Sequence, residues 1–456
     1  MAAQPAALAG AYWPRPWSCE DGGARRWGVA GVPGLGIRPG EGLRVAAVRQ
    51  AFGTDVLARR DDGELYALRH PPLHGPQGAP VEAWVERLDP ETLAVSGRSS
   101  ELPGGPYWPG GIAAHENGDL LMVYGAWAHR LTPELELLAS HRLPVDRPHN
   151  SFVLLDSGEL VTKDCDAPAG REPSTVSVLD PETLLPVTAP LRLPEPSIAR
   201  LSTDGESVIA VGTTRLFRLR LDRSAGRLEI DPDWAPSYGP SPGRSYGWDP
   251  VITDEHVLWM DNGRNRVDHT MLGSGVQEDP LRLWWARLDD GSVRSVEISG
   301  LPHGTESNPP AWDPERRIVI AYDSGNAVIR AWRLDGDELE PLWRLDGLAH
   351  AGHLILYPDT RELVVGDWRG PELLRRRAVR PLVRVLGSYV PRSRLATRAT
   401  LAGGGDELVV LDLDSGSEKA RVPVPSPSQG FLFPAPGFGR DVYYQSLTTI
   451  ARVVVN

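Results

Sequence analysis

The stretch "LDPETL" at residues 88–93 occurs a second time at residues 179–184. Each copy is flanked by alternating apolar and polar residues, as in "VEAWVERLDPETLAV", and this period of two is typical of half-buried strands. Asp-Pro supplies a tight turn between the two strands. Weaker copies begin at residues 131, 221, 288, 334 and 413, so that successive starts lie 43, 48, 42, 67, 46 and 79 residues apart. The repeat therefore predicts a hairpin that recurs about every forty residues.

A further hairpin precedes each of these copies. The seven segments read "DVLARRDDGELYAL", "GGIAAHENGDLLMVY", "SFVLLDSGELVTKD", "IARLSTDGESVIAVG", "DPVITDEHVLWMD", "PAWDPERRIVIAYD" and "HLILYPDTRELVVGD", and an eighth, "GFLFPAPGFGRDVYYQSL", starts at Gly430. Two hairpins make one four-stranded antiparallel sheet, and repeats of this length are the blades of a propeller. We therefore predict an all-β fold, a single β-propeller of eight four-stranded blades, with seven blades as the alternative.

The last repeat lacks one strand. After the eighth hairpin the chain ends on "TTIARVVVN", which gives three strands, whereas "LRVAAVRQ" at residues 43–50 is a strand without a blade. We expect residues 43–50 to complete the last blade, because joining both ends of the chain in one sheet removes the open edge of the ring.

This blade pattern resembles the broad propeller group that includes WD-repeat and quinoprotein-like folds. The resemblance covers nearly the whole chain, although the repeated Gly-His and Trp-Asp signatures of WD repeats are missing. It implies a fold and no particular activity.

Composition agrees with one domain over residues 1–456. The 48 glycines and 43 prolines suit many tight turns. We see no secretory leader and no apolar run of roughly 18 residues, and the two cysteines, Cys19 and Cys165, are too few for a disulfide framework. Cytoplasmic residence is the expectation. The net charge of −12 argues against general nucleic-acid binding.

Aligned blades place several polar side chains on one rim of the central channel, where first strands begin and second strands end. At the ends of second strands stand Asp164, Asp261, Asp323 and Asp367, and near the starts of first strands stand Trp108, His149, Asp249, Asn308, His350 and His353. Loops at such a rim are the usual place for a ligand site. For the histidines, a structural hydrogen bond from His149 to Asp164, or from His350 or His353 to Asp367, is an alternative to catalysis.

Two repeats carry extra residues on the same rim. The insertions are residues 261–280 after the second strand of blade five and residues 369–400 after that of blade seven, and we expect both to cover one face as a lid. Within the second, residues 372–386 alternate leucines and valines with arginines. Contact with a membrane surface is conceivable there, but packing of its apolar side on the propeller is the favoured interpretation.

The rim residues suggest two kinds of chemistry. His149, Asp249, Asn308 and His353 together have the ligand types of a divalent metal site, and a bound metal would activate water or polarise a substrate oxygen. Without metal, we expect His149, Asp249, His303 and Glu306 to act as general acids and bases. For substrate contacts we expect Trp108, Trp248, Arg264, Asp261 and Asp323, because tryptophans at blade starts suggest an aromatic-walled pocket.

These observations favour an enzyme that acts on a small, apolar or aromatic organic molecule at the channel mouth. The reaction classes considered are lyase, hydrolase and isomerase, with or without a metal ion. A protein-binding scaffold and a small-molecule binding protein without turnover are the alternatives. A scaffold is expected to show short regular loops and an exposed apolar patch, so the two long insertions favour the enzyme.

Overall fold

The computed structural model describes residues 9–71, 81–106, 108–165, 172–239, 245–264, 270–369, 405–426, 429–430, 432–446 and 448–456. These residues form an all-β propeller of eight blades, each built on four antiparallel strands. The prediction of eight blades is confirmed. Helical structure among them includes one short 3-10 turn, η1 (Glu20–Gly22). None of the helices in these ranges is long and apolar enough to span a membrane.

The first strands are the innermost strands of the blades, and those of most neighbouring blades contact one another. From blade one to blade eight they are β2 (Thr54–Arg59), β7 (Gly111–Ala114), β11 (His149–Leu154), β15 (Ser202–Thr203), β19 (Val251–Ile252), β23 (Ala311–Asp313), β27 (Ile355–Tyr357) and β31 (Ala435–Pro436). The second strands are β3 (Leu65–Arg69), β8 (Leu120–Tyr124), β12 (Leu160–Asp164), β16 (Ser207–Val211), β20 (His256–Met260), β24 (Ile318–Asp323), β28 (Glu362–Trp368) and β32 (Asp441–Gln445).

The two outer strands of each blade follow in the same order. The third strands are β4 (Val81–Leu88), β9 (Trp127–Leu131), β13 (Thr175–Leu179), β17 (Leu216–Asp222), β21 (Arg282–Arg287), β25 (Val328–Asp335), β29 (Asp406–Asp412) and β33 (Thr449–Val455). The outermost strands are β5 (Val95–Arg98), β10 (Leu137–Arg142), β14 (Leu191–Arg192), β18 (Arg227–Ile230), β22 (Val293–Glu297), β26 (Glu338–Asp346), β30 (Glu418–Val424) and, in blade eight, β1 (Leu43–Gln50). A further strand, β6 (Leu102–Gly105), also pairs with β4.

The ring closes in blade eight as expected. Strand β1 pairs antiparallel with β33, from Leu43 opposite Val455 to Gln50 opposite Thr449. The last blade thus contains strands from both ends of the described chain, and β33 has a partner on each side.

The repeated "LDPETL" stretches are the turns between third and outermost strands in blades one and three. In the first, the carboxylate of Asp89 accepts hydrogen bonds from the backbone N–H and the hydroxyl of Thr92, both at 2.7 Å. Leu93 then takes a left-handed conformation with φ 61° and buries its side chain. Asp180 and Thr183 form the same bonds at 2.8 Å in the second copy. The repeat is therefore a self-contained turn, bonded by its own aspartate.

Replacing Asp89 or Asp180 by alanine is expected to lower the urea concentration at the midpoint of unfolding in each case, because the turn loses its side-chain acceptor. Urea unfolding of the two variants would measure this. Glu91→Ala, at an exposed position of the same turn, is the matched control and is expected to change stability by no more than about 0.5 kcal/mol. Equal losses in all three variants would contradict the role of the aspartates.

The hydrophobic core lies between the faces of neighbouring blades. One cluster joins blades five, six and seven and includes Trp285, Trp312, Trp332 and Leu363. Large flat side chains fill the wedge-shaped space between twisted sheets, and burial of such a side chain contributes a few kcal/mol, ~2–3 by area. These tryptophans therefore serve packing.

A segment that precedes strand β1 in the chain closes the lower end of the channel. This is the end at which the innermost strand of each blade finishes. We call residues 17–28 the plug. Its carbonyl groups accept backbone hydrogen bonds from six blades in turn: Trp17 from Arg59, Ser18 from Ala114, Ala24 from Thr203, Arg25 from Ile252, Trp27 from Trp312 and Gly28 from Leu356. The plug follows the ring, and its side chains reach into the channel.

Candidate functional site

The four aspartates at the ends of the second strands accept hydrogen bonds from nearby residues of the protein. Asp164 accepts a hydrogen bond from the N–H of Thr175 at 2.6 Å and forms an ion pair with Arg147. Asp261 accepts from the indole of Trp284 at 2.8 Å. These bonds tie the second strand of each blade to neighbouring segments.

The other two aspartates have comparable surroundings. Asp323 accepts from the hydroxyl of Ser299 at 2.6 Å, and Asp367 accepts from the N–H of Ala349 at 2.9 Å and from Arg421 at 3.0 Å. All four rim aspartates therefore have structural partners, and those of Asp164 and Asp367 include arginine.

His149 bonds to the backbone. It faces Asp164 in strand register, but its Nδ1 lies 2.9 Å from the carbonyl oxygen of Gly125 and 3.0 Å from that of Arg147. Burial lowers the pKa of His149 to about 4, so the ring is neutral at physiological pH. Neither a hydrogen bond to Asp164 nor a bond to Asp249 is found for His149 within the described ranges.

The channel contains a buried network of charged side chains. We call it the channel network, and its members are Glu20, Asp21, Arg26, Arg200, Asp249 and His353, each no more than 6% exposed. The plug supplies the first three members, and the segments before the first strands of blades four, five and seven supply the others. Long-range folding alone brings these four pieces of chain together.

Arg26 is the centre of this network. Its guanidinium group donates to Glu20 and to Asp21, each at 2.7 Å, and to the carbonyl oxygen of Leu201 at 2.9 Å. Burial disfavours the charged form of Asp21, but His353 and Arg26 outweigh that effect and lower the pKa of Asp21 to about 2. One arginine therefore bonds both plug carboxylates.

Asp21 also bonds to His353 on the far side of the channel. The Nδ1 atom of His353 makes a short hydrogen bond with the carboxylate of Asp21, whereas its Nε2 is buried and has no hydrogen-bond partner. The ring of Phe433 lies 4.2 Å from the His353 ring, centroid to centroid. A carboxylate thus orients the imidazole, and the second ring nitrogen remains free.

Arg200 lies between Glu20 and Asp249 in the channel network. Its side chain is 3.4 Å from Glu20 and 3.5 Å from Asp249, longer than ordinary charged hydrogen bonds. Its guanidinium group also stacks on Phe433 at 4.6 Å. The Nε and Nη2 atoms of Arg200, the Oδ2 of Asp249 and the Oε2 of Glu20 are buried without a hydrogen-bond partner.

Glu306 and Asn308 form a separate polar cluster before the first strand of blade six. Glu306 accepts from the N–H of Ser307 at 2.6 Å, from the amide of Asn308 at 3.1 Å and from the hydroxyl of Ser324. Burial outweighs these three donors and raises the pKa of Glu306 to about 8. The protonated form of this carboxyl group therefore predominates at pH 7. His303, three residues earlier, is exposed.

The described part of the first insertion crosses the upper rim. We call residues 270–280 the crossing segment. Thr270 and Met271 both donate to the side-chain oxygen of Gln429, which precedes blade eight, at 2.7 and 2.6 Å. Leu272 packs beside Trp368 of blade seven. The segment thus links blade five to blades seven and eight.

The second insertion is outside the described residues beyond Arg369, as is the arginine-rich stretch 372–386. The idea that both insertions cover one face therefore stays a prediction.

The expected substrate-contact residues are dispersed. Trp108 is half-buried and Arg264 is exposed. Trp248 is buried 6.0 Å from the ring of Tyr246, and its indole nitrogen has no hydrogen-bond partner. None of these side chains belongs to the channel network.

Of the four expected metal ligands, the structure brings Asp249 and His353 into the channel network and leaves His149 and Asn308 with other partners. Within the described part of the chain, no group of three or more histidine, cysteine, aspartate or glutamate side chains is arranged to hold a metal ion. Arginine guanidinium groups stand beside the carboxylates of Asp21 and Asp249 instead. The described residues therefore do not bring the four expected ligands together as one group.

Sequence reasoning missed the plug. Glu20, Asp21 and Arg26 lie in "WSCEDGGARRW", which has no strand period. A run of charged residues between two tryptophans, outside every repeat, is the one signal that could have marked it.

Fold and channel together define an eight-bladed β-propeller, as the repeats predicted. No family model matches the chain, and no curated protein does. Among solved structures, the chain is similar to a quinohemoprotein alcohol dehydrogenase from Pseudomonas putida HK5, with 10% identity over 99% of this chain and 83% of that one and a TM-score of 0.59.

Two further structures show the same likeness. A quinohemoprotein alcohol dehydrogenase from Comamonas testosteroni has 10% identity over 97% of this chain and 81% of that one, with a TM-score of 0.58. Sqt1 from Chaetomium thermophilum has 12% identity over 91% and 99%, with a TM-score of 0.56. At such identities the likeness concerns the fold alone.

Proposed function

We propose that the protein is an enzyme that binds a small organic molecule in the upper part of the channel and transfers a proton through His353. The observation that carries this proposal is the state of the two ring nitrogens of His353: Nδ1 bonds to Asp21, and Nε2 is buried without a hydrogen-bond partner. This is how general bases are commonly held, with a carboxylate that orients the ring and stabilises its protonated form.

Arg200 supports the same proposal. Buried polar atoms are nearly always hydrogen-bonded in folded proteins, yet the buried Nε and Nη2 atoms of Arg200 have no hydrogen-bond partner, although Nε lies 3.4 Å from the carboxylate of Glu20. A carboxylate or carbonyl oxygen of a ligand can accept from such atoms. Because Phe433 touches both Arg200 and His353, it offers an apolar wall for the rest of the ligand.

Access requires displacement of covering residues. The network side chains are almost completely buried, and a cavity of about 10 Å³ between Glu20, Arg26 and Ser151 has room for about one water molecule. The crossing segment is attached to Gln429 by two side-chain hydrogen bonds. Movement of that attachment is the simplest route from solvent to the upper channel.

The test uses histidine-labelled protein and NMR with three probes: acetate, pyruvate and benzoate. We expect at least one probe to shift the Nε2 resonance of His353, and Arg200→Leu to weaken its binding by about tenfold or more, ~1.4 kcal/mol. His129→Gln is the control, because both ring nitrogens of His129 already have partners, the carbonyl oxygen of Pro103 and the hydroxyl of Ser140. If no probe moves the His353 resonance of the wild-type protein, the proposal is wrong.

Turnover has its own measurement. A base at His353 is expected to exchange the methyl protons of pyruvate for deuterium in heavy water, and His353→Gln is expected to abolish this exchange. Binding without exchange would favour the alternative of a binding protein without turnover. Neither binding nor exchange would favour the scaffold.

A further inference from the structure

Lys163 is an unusual residue for this chain. Only Lys163 and Lys419 are lysines, although the chain has 48 lysines and arginines together. Lys419 is partly exposed and forms an ion pair with Glu362 at 2.8 Å. Lys163 is 1% exposed and lies on β12, one residue before the upper rim. At this buried position the chain therefore has an amine, whereas its other cationic side chains are, apart from Lys419, guanidinium groups.

The contacts of Lys163 are with neutral acceptors. Its Nζ donates to the carbonyl oxygen of Ser197 at 2.6 Å and is 3.5 Å from the side-chain oxygen of Asn150. In the described ranges no carboxylate lies within ion-pair distance of this amine, and the neighbouring carboxylate of Asp164 is paired with Arg147. The amine is therefore free of a direct counter-ion.

The charged groups that act on Lys163 belong partly to the channel network. Negative charge on Cys165, Asp164 or Asp249 favours the ammonium form, whereas Arg200 disfavours it. Burial is the largest influence and lowers the pKa of Lys163 to about 8. About a tenth of the amine is then neutral at pH 7 and about half at pH 8.

We propose that Lys163 forms an imine with the carbonyl carbon of a small oxo acid whose carboxylate pairs with Arg200. This inference rests on the proposed function, because it places the ligand beside the channel network. The neutral amine adds to the carbonyl carbon, the resulting carbinolamine loses its hydroxyl group together with a proton from nitrogen as water, and a C=N bond remains. A protonated imine withdraws electrons, so the neighbouring C–H proton becomes accessible to a base such as His353.

A purely structural role is the competing explanation. The amine could simply join blade three to the segment before blade four through Ser197. An arginine can donate the same hydrogen bonds but cannot form an imine. Lys163→Arg therefore separates the two roles.

The experiment is reduction with sodium borohydride in the presence of pyruvate, followed by peptide mapping with mass spectrometry. We expect a covalent adduct on Lys163, with Lys419 essentially unlabelled, and about fivefold faster labelling at pH 8 than at pH 7, in line with the neutral fraction of the amine. Lys163→Arg is expected to remove the adduct, and Lys419→Arg is expected to leave it unchanged.

The outcomes are distinguishable. Wild-type protein without an adduct on Lys163, or labelled on Lys419 instead, would overturn the imine, and this comparison does not depend on whether Lys163→Arg folds. Proton exchange from pyruvate without an adduct would leave the proposed function standing and remove only the imine. An adduct without exchange, and without a His353 shift, would support the imine and remove His353 as the base.

Discussion

Replacing Arg26 by methionine is expected to lower the free energy of unfolding by about 3–5 kcal/mol, because it leaves buried carboxylates without their cation. Arg26 donates to both Glu20 and Asp21, and all three side chains are buried. Methionine has a similar volume, so the change removes charge and hydrogen bonds more than packing. Urea unfolding followed by circular dichroism would measure the loss.

The neighbouring arginine provides the matched control. Arg25 pairs with Asp254, whose side chain is 82% exposed. Exposed ion pairs contribute little, so Arg25→Met is expected to cost no more than about 1 kcal/mol. If both methionine variants lower the free energy of unfolding by the same amount, the buried charges do not hold the plug in place. The channel network then does not stabilise the fold.

Replacing Glu306 by glutamine is expected to stabilise the protein at alkaline pH by about 4–5 kcal/mol. The pKa of Glu306 is raised from its ordinary value to about 8 in the folded protein, chiefly by burial. Its contribution to stability is therefore fully present below about pH 4.5 and is lost as the pH rises to about 8. Glutamine resembles the protonated acid and has no such loss.

The measurement is the difference in unfolding free energy between variant and wild type from pH 5 to pH 9. This difference is expected to grow with pH and to level off above about pH 8. Glu255→Gln is the control: Glu255 pairs with Arg317 on the surface, which lowers its pKa, so it is ionised throughout this range. A difference that does not change with pH would show that Glu306 titrates normally.

The blade architecture could be predicted because its signals are local. An alternating strand, an Asp-Pro turn and a left-handed residue such as Leu93 all lie within a few positions of one another. Their recurrence gave the number of blades, and the spare strand Leu43–Gln50 gave the closure.

The candidate site could be predicted only in part. Alignment of the blades placed Asp249 and His353 beside the channel, and both belong to the channel network. The same alignment gave His149 and Asn308 similar positions, but their polar atoms bond elsewhere. Alignment sets the height of a residue on the rim, whereas the direction of its side chain depends on the neighbours that it meets.

The sequence by itself determined the all-β class, the eight repeats, the closing strand and two members of the channel network. Only the tertiary structure decided that the plug lies inside the ring, that Asp21 bonds to a histidine 332 positions away, and that Arg200 lies beside Asp249, one of the expected metal ligands. The reason is physical: strand period and turn chemistry act between adjacent residues, whereas a buried charge is stable only beside a partner, and that partner is brought to it by closure of the whole ring.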